Sequence, residues 1–359
     1  MPGTLEVPGT CPVGLPIAVA VLPPSRHNQA IVKILGAPSL VEWEESARVC
    51  EWATFFHTPT WSGILLDTFP YLRDATLAFE MADGARVVLP LSLRRRGMGG
   101  FLQERLSTFP GTYGGPLASR RLTPEELSEV CGSVPAGLRC LRVRILGTPF
   151  WDLGPAPKGF RTEPLSTRML DLSPGFGTLV RGLSTTHRRG LAKAEGHGLT
   201  VRAAKDLEEY QEYFRIYEDT LERWQHPTSR YPMDLFRNIH RLGGEYVRLW
   251  LVLKTGEIIA GALVFYWNRH AVYWHGASRS EFFSMRPNII LHSEIIRFCC
   301  EQGYRYYDFN PSGGHVGVDR FKALFGAGEW PVSHWIREPN PVFRLYRKTT
   351  GNETKFYPR

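Results

Sequence analysis

Between Val247 and Ser278 the chain runs three apolar segments of strand length, VRLWLVL, IIAGALVFY and AVYWHGAS. Only Lys254-Thr255-Gly256-Glu257 and Trp267-Asn268-Arg269-His270 separate them. With separators of turn length, consecutive antiparallel pairing is the cheapest topology, so the segment predicts a meander. Pro287-Asn288 then introduces a helix, NIILHSEIIRFCCEQG, with Leu291, Ile295 and Phe298 on one face and Gly303 as its stop. The strand YRYYDF, the loop NPSGG and the segment RFKALFG follow.

Upstream of the meander, THRRGLAKAEGHG reads as a basic helix. Asp206 opens another, with Glu209 at capping-box spacing. Leu207, Tyr210, Phe214, Tyr217, Leu221 and Trp224 recur along it at the helical period, which marks a packed face. The first half has a related order. Residues 40 to 56 can form a short helix, and TLAFEMADGARVVLPLSL predicts a hairpin around Ala82-Asp83-Gly84, where Asp-Gly supplies the positive φ of a tight turn. The strand-like FLQERLSTF, the loop PGTYGGPLA, a helix near TPEELSEVC and the strand CLRVRIL come next. A chain of 359 residues predicts about two domains at roughly 150 residues each. The Gly/Pro-rich stretch 147–164 is the candidate junction. The expected division is a Pro-rich extension over 1–38, a first domain over 39–165, a second over 166–338 and a basic tail over 339–359.

The balance of 43 Lys+Arg against 35 Asp+Glu, a net +8, favours anionic partners such as phosphates, nucleotides or RNA. Six cysteines without a CxxC pair suggest neither a disulfide framework nor a metal cage. The early apolar stretch VGLPIAVAVLPP is short and lacks the preceding positive charge of a signal peptide. No run approaches a membrane span of about 20 residues, so a cytoplasmic location without an integral membrane partner is expected. The oligomeric state is unreadable.

The order of meander, helix, strand and further helix resembles the Gcn5-related N-acetyltransferase (GNAT) fold. Two such units in tandem resemble the Fem family of aminoacyl-tRNA-dependent transferases and the Fem-like acyltransferases around it. The carrying motifs are VLPLSLRRRG and YGGPL in the first half, then HRRGLAKAEGHGLTV, GEIIAGALVFY, VYWHGAS, GYRYYDFNPSGG and RFKALFG. The resemblance implies an α/β (α+β) chain of two GNAT-like domains, each a mainly antiparallel mixed sheet with flanking helices, the second catalytic. It also places Phe321 and Lys322 near the acyl-transfer centre, with Lys322 stabilising developing charge. GNAT enzymes hold the pyrophosphate of acetyl-CoA with a glycine-bearing (Q/R)xxGx(G/A) loop. The corresponding SRSEFFSMRPN has no glycine, which counts against ordinary CoA binding there and favours a tRNA-borne or otherwise unusual donor. RRRGMG matches the pattern, but it joins two strands.

Acyl transfer to an amine needs a neutral amine, donors aimed at the oxyanion and aligned substrates, without a covalent nucleophile. The chain has no GxSxG, HExxH or P-loop signature, so hydrolase, zincin and NTPase readings lack their motifs. Lys322, flanked by apolar residues, is the candidate cation, and the bland reading is an exposed helical lysine. Arg320 is a second cation for a carboxylate or phosphate. Asp308, Asn310 and Ser312 lie where a strand runs into a glycine loop, a common place for site residues. Asp308 is either the base or a loop cap. His275 alternates with Tyr273, with Trp274 on the opposite face, and is either a second base or a core histidine. Tyr113, between glycine-rich turns, and Trp224, at a helix end, are candidate substrate contacts. Arg94, Arg95, Arg96 and Arg105 crowd the first half, and His187, Arg188, Arg189 and Lys193 the second. Each cluster is either a solvated face or a phosphate surface for tRNA or CoA. The resulting expectation is an N-acyltransferase moving an aminoacyl group from aminoacyl-tRNA, or an acyl group, to a small or peptide-like amine. Alternatives are an acyl-CoA-dependent N-acetyltransferase and a non-catalytic RNA- or nucleotide-binding protein. No tightly bound cofactor and no metal site are expected.

Overall fold

The three meander strands form as their turns require, in a computed structural model that describes residues 32–96, 102–109, 111–137, 139–224 and 231–344. Val247–Lys254, Glu257–Trp267 and His270–Ser278 pair antiparallel in chain order. Their turns hold Thr255 and Gly256 at φ 49° and 90°, and Asn268 at φ 49°, the left-handed region that tight hairpins use. Thr200–Ala203 extends one edge. Tyr306–Asp308, Ser166–Asp171 and Gly328–Pro331 extend the other, giving a seven-stranded sheet.

Within that sheet only His270–Ser278 and Tyr306–Asp308 run parallel. A parallel pair needs a crossover, and the helix Pro287–Glu301 supplies it, burying Ile289, Ile290, Leu291, Ile295, Ile296 and Cys299. The helix Thr185–Gly196 closes on it at Gly190, where a methyl group would come within 2.4 Å of Ile289 Cδ1. Asp206 caps the helix Leu207–Arg223 by accepting from the Glu209 amide at 3.0 Å. The Glu209 carboxylate, expected to complete a capping box, turns instead to Arg202 and the Lys205 amide.

The first half has a six-stranded sheet, in order Leu72–Asp74, Ser92–Arg96, Leu102–Leu106, Cys140–Leu146, His334–Arg337 and Arg161–Thr162. Again a single pair is parallel, Leu102–Leu106 with Cys140–Leu146. A four-stranded sheet holds the predicted hairpin, Leu77–Met81 with Arg86–Leu89, and Gly84 sits at φ 82° in its turn. Two expectations are corrected. Val32–Gly36, assigned to the loose extension, is an edge strand on Leu77–Met81, and His334–Arg337, assigned to the second domain, pairs with Cys140–Leu146 in the first sheet. A helix at Pro59–Thr68 is additional. Thr58 caps it and Pro59 stands at its first position, where a missing N–H costs nothing.

The chain leaves the six-stranded sheet after Thr162 and enters the seven-stranded one at Ser166. The described residues nonetheless lie in one compact unit. Phe55 of the first half stacks on Phe265 of the meander at 5.3 Å, Phe56 and Trp61 of the same half pack on it tilted and edge-on at 4.9 and 5.4 Å, and Trp61 also meets Trp274 at 6.0 Å. One hydrophobic cluster therefore runs through both halves. Residues 1–31, the part of RRRGMG beyond Arg96, the segment after Trp224 and the tail from 345 lie outside the described residues.

Candidate active site

The parallel ladder pairs His270 with Tyr306, Ala271 with Tyr307 and Val272 with Asp308, and there it ends, although the first strand continues to Ser278. Past that point the strands have parted. Tyr273, His275 and Gly276 are half-buried on a strand whose other positions are buried. At the parting, Val264 pairs with Tyr273 but Leu263 pairs with His275, which leaves Trp274 as the extra residue of a β-bulge. The bulge overturns the expected alternation. Tyr273 faces the helix Pro287–Glu301, its ring 4.7 Å from His292. Trp274 and His275 both face the other side, where His275 lies 4.4 Å from Tyr217 and 5.8 Å from Tyr231.

The opposite lip is built around Asn310, a residue in the left-handed region at φ 60°. Its amide donates to Asp308 Oδ1 at 2.7 Å, and its carbonyl accepts from Lys322 Nζ at 2.6 Å. Its side-chain Nδ2 donates to the Gly111 carbonyl of the first half at 2.7 Å. Asp308 is fully buried, and Oδ1 also accepts from Thr167 Oγ1 at 2.6 Å. Burial raises its proton affinity, opposed by the hydrogen bonds from Thr167 and Asn310, by the nearby Tyr113 hydroxyl and by the charge of Lys322. Lys322, on the helix Val316–Ala323, is only 3% exposed. It is therefore no surface lysine. Burial pulls its ammonium down to about 8, against the attraction of Asp308 and Asp319.

The other expected residues divide. Tyr113 is fully buried, and its hydroxyl lies against Asp308 and Thr167. It supports Asp308 from the first half and offers no surface to a ligand. Ser312 donates to Asp319 at 3.4 Å, and Asp319 takes a two-pronged ion pair from Arg168 at 3.0 and 2.7 Å. Phe321 walls the Lys322 pocket against His187, His292 and Phe325. His187 itself is buried, so it leaves the basic surface to its neighbours. Arg320 is exposed and has no partner among the described residues. Trp224 is 48% exposed and stacks on His315 of the glycine loop at 5.6 Å.

Of the cationic clusters, the helix Thr185–Gly196 exposes Arg188, Arg189 and Lys193. The first-half cluster loses one member to the interior. Arg94 is buried beside Glu104 at 3.8 Å and over the Tyr71 ring, which removes it from any phosphate; Arg95 is exposed, and Arg96 ends its strand. The half-buried Arg105 faces Leu93 across the ladder. Three contributors escaped sequence reasoning: Thr167, Gly111 and Tyr213, whose hydroxyl lies 2.6 Å from His275 Nδ1. None sits in a motif, and the only signal was the glycine richness around position 111.

The matching parting in the first half is closed. Ser107 Oγ accepts from the Leu146 amide at 2.8 Å, and the Gly114 amide donates to the Leu146 carbonyl at 3.1 Å. Only the second half keeps its strands open. Among the described residues, no group of three or more His, Cys, Asp or Glu is placed to hold a metal, and no helix is long and apolar enough to cross a membrane.

The second half is thus a mixed sheet with one parted parallel pair and a crossover helix, and Asn310 beside the parting is held between Asp308 and Lys322. Residues 181–323 match the family model described as an acetyltransferase (GNAT) domain, so the second half carries such a domain. Three solved structures share the fold. FemX aligns at TM-score 0.65 with 14% identity, covering 86% of this chain and 98% of its own. A tandem GNAT protein from the clavulanic acid biosynthesis pathway aligns at 0.52 with 12% identity, covering 86% and 99%. The C-terminal domain of a putative lysylphosphatidylglycerol synthetase from Agrobacterium fabrum aligns at 0.52 with 13% identity, covering 87% and 96%. No curated protein matches the sequence.

Proposed function

We propose that the protein transfers an aminoacyl group from aminoacyl-tRNA to an amine of a small or peptide-like acceptor, with donor and acceptor held together at the parted strands. The observation that carries the reading is the clamp on Asn310, a buried carboxyl on its N–H and a buried ammonium on its carbonyl. Lys322 spends one of its three N–H groups there. The other two stabilise the charge that develops on the transferring carbonyl oxygen, a role that low dielectric strengthens. Asp308 holds the clamp in register. It is as fully buried as Tyr113, so it acts through Asn310 and through the charge it sets against Lys322, and not by touching the attacking amine. Arg320, exposed one residue before this pocket wall, and Trp224 over the glycine loop border the acceptor side.

The tRNA donor is supported by the loop after Ser278. Ser280–Met285 is a 3-10 helix, Arg286 stands at φ 62°, and Pro287 occupies the first position of the next helix. A proline there removes one of the N–H groups that an anion nest would present. The Arg188, Arg189 and Lys193 face offers phosphate contacts of the kind a nucleic acid backbone needs. A second reading, an acyl-CoA donor, is favoured by the matched family model, whose description is that of an acetyltransferase.

Purified protein incubated separately with labelled acetyl-CoA and with charged tRNA, each with an amine library, decides between them. RNase-sensitive product is expected. RNase-resistant product that requires CoA would replace the first reading with the second, and absence of product with either donor would remove both.

A further inference from the structure

In the aromatic cluster beside the parting, the hydrogen bond between Tyr213 and His275 fixes the chemistry of the imidazole. Tyr213 is fully buried, and its hydroxyl has a single partner, His275 Nδ1 at 2.6 Å. A phenol O–H buried without an acceptor is costly, so Tyr213 donates and Nδ1 accepts. A neutral imidazole whose Nδ1 accepts carries its proton on Nε2. That nitrogen has no partner among the described residues, and the ring is half-buried at the place where the neighbouring strand has left.

The surroundings keep the ring neutral. Tyr213 and Tyr217 of the helix Leu207–Arg223, Tyr231, Phe236 and the adjacent Trp274 enclose it at 4.4 to 5.8 Å between centroids. Phenols are the only titratable groups in that set, and no charged group among the described residues contributes to the depression of its pKa to about 3, which burial alone causes. Such a ring does not collect a proton from an amine near neutral pH. The bulge at Trp274 is what turns it toward this cluster and away from Lys322.

We propose that His275 is a fixed, uncharged hydrogen-bond donor, its Nε2–H presented to an oxygen acceptor, a carbonyl or carboxylate, on a substrate bound at the parted strands. The inference rests on the transferase reading for the identity of its ligand, and it replaces the base role that sequence suggested for this residue. Tyr213 is the positioning residue that sets the tautomer.

Long-range 1H–15N correlation on the full chain labelled with 15N-histidine reads the tautomer directly, with the His275 signals assigned by their loss in His275→Gln. The expected pattern is an Nε2-protonated neutral ring, unchanged from pH 8 to 5.5, that becomes a mixture of tautomers in Tyr213→Phe. In turnover with whichever donor is accepted, His275→Leu should lower kcat/KM on the order of 10- to 100-fold. His275→Gln, which keeps an N–H near the same place, should recover most of it. A ring that titrates in this pH range, or one protonated on Nδ1, overturns the donor assignment and leaves the transferase reading standing. Equal kinetics for the Leu and Gln variants overturn the recognition role. Absence of turnover with every donor removes the transferase reading, and the recognition role with it, whatever the tautomer.

Discussion

Lys322 is the residue whose environment most directly predicts behaviour. Its ammonium is depressed to about 8, so the charged form is the minor one above that pH. A reaction that needs the cation should lose kcat/KM as pH rises through about 8, and Lys322→Arg, which stays charged, should move that limb upward if it folds. Lys322→Met should lower kcat by about 10²- to 10³-fold, the usual cost of losing one oxyanion donor. Asp308→Asn tests the partnership from the other side. The amide still accepts from Thr167 and Asn310, but the negative charge that raises the lysine's affinity for its proton is gone, so the alkaline limb should shift to lower pH. A limb that stays in place in Asp308→Asn would separate the two residues electrostatically. The motif RFKALFG pointed to Lys322, which the structure places against the Asn310 carbonyl. Its burial was unreadable, because a lysine between apolar residues on a short helix suits a surface equally well until the facing elements are known.

At the scale of elements, the loop from Phe109 to Leu117 does two jobs. It closes the first half's parting through Gly114 and reaches into the second half's through Gly111 and Tyr113. His57 fastens it, with Nε2 2.8 Å from the Gly114 carbonyl. A methyl group at Gly114 would stand 2.1 Å from the Ser107 carbonyl oxygen, a backbone atom that cannot move aside. Gly114→Ala should therefore cost about 3 kcal/mol in urea unfolding, at the upper end of overpacking penalties, and should reduce activity although the mutated residue touches no substrate. A loop here was evident from its glycines and proline. Its destination was not, since a turn-rich sequence says nothing about which distant carbonyl will accept from Asn310. The bulge at Trp274 is similar: an alternating pattern predicts a strand and its two faces, but a register slip against Leu263 and Val264 belongs to the pair of strands and leaves no mark in either alone.

For the molecule as a whole, the buried histidines set the acid limit. His57 and His270 are pushed down to about 4, and His275 and His292 to about 3, in each case mainly by burial. Unfolded histidine takes a proton below about 6.5, whereas these rings do not until much lower pH. The unfolded chain therefore binds more protons, and stability falls as pH drops from 6.5 toward 4, by about 2 to 3 kcal/mol for each of His57 and His270. The urea midpoint should fall slightly from pH 8 to 7 and steeply below 6.5. A midpoint unchanged down to pH 4.5 would mean these rings are solvated. The net charge also reads differently in the folded protein. Arg94 and Arg142 are interior partners of Glu104 and Glu338, and Arg188, Arg189 and Lys193 remain outside. Of the two predicted clusters, the one on the second half's entry helix keeps its three cations exposed, whereas the first loses Arg94 to the interior.

Sequence alone determined the local pieces: the Asp-Gly hairpin, the three-strand meander, the Asp206 cap and the helix that Pro287 begins and Gly303 ends. Each depends on φ preference, capping or periodicity within a few residues, and their order was enough to indicate a GNAT-like chain. Tertiary structure decided what the site is. The Asn310 clamp joins Gly111, Thr167, Asp308 and Lys322, which lie far apart in the chain, and the tautomer of His275 is set by a tyrosine on another element. Such contacts are made by strand register and by burial, quantities that exist only once both halves have closed on their common core.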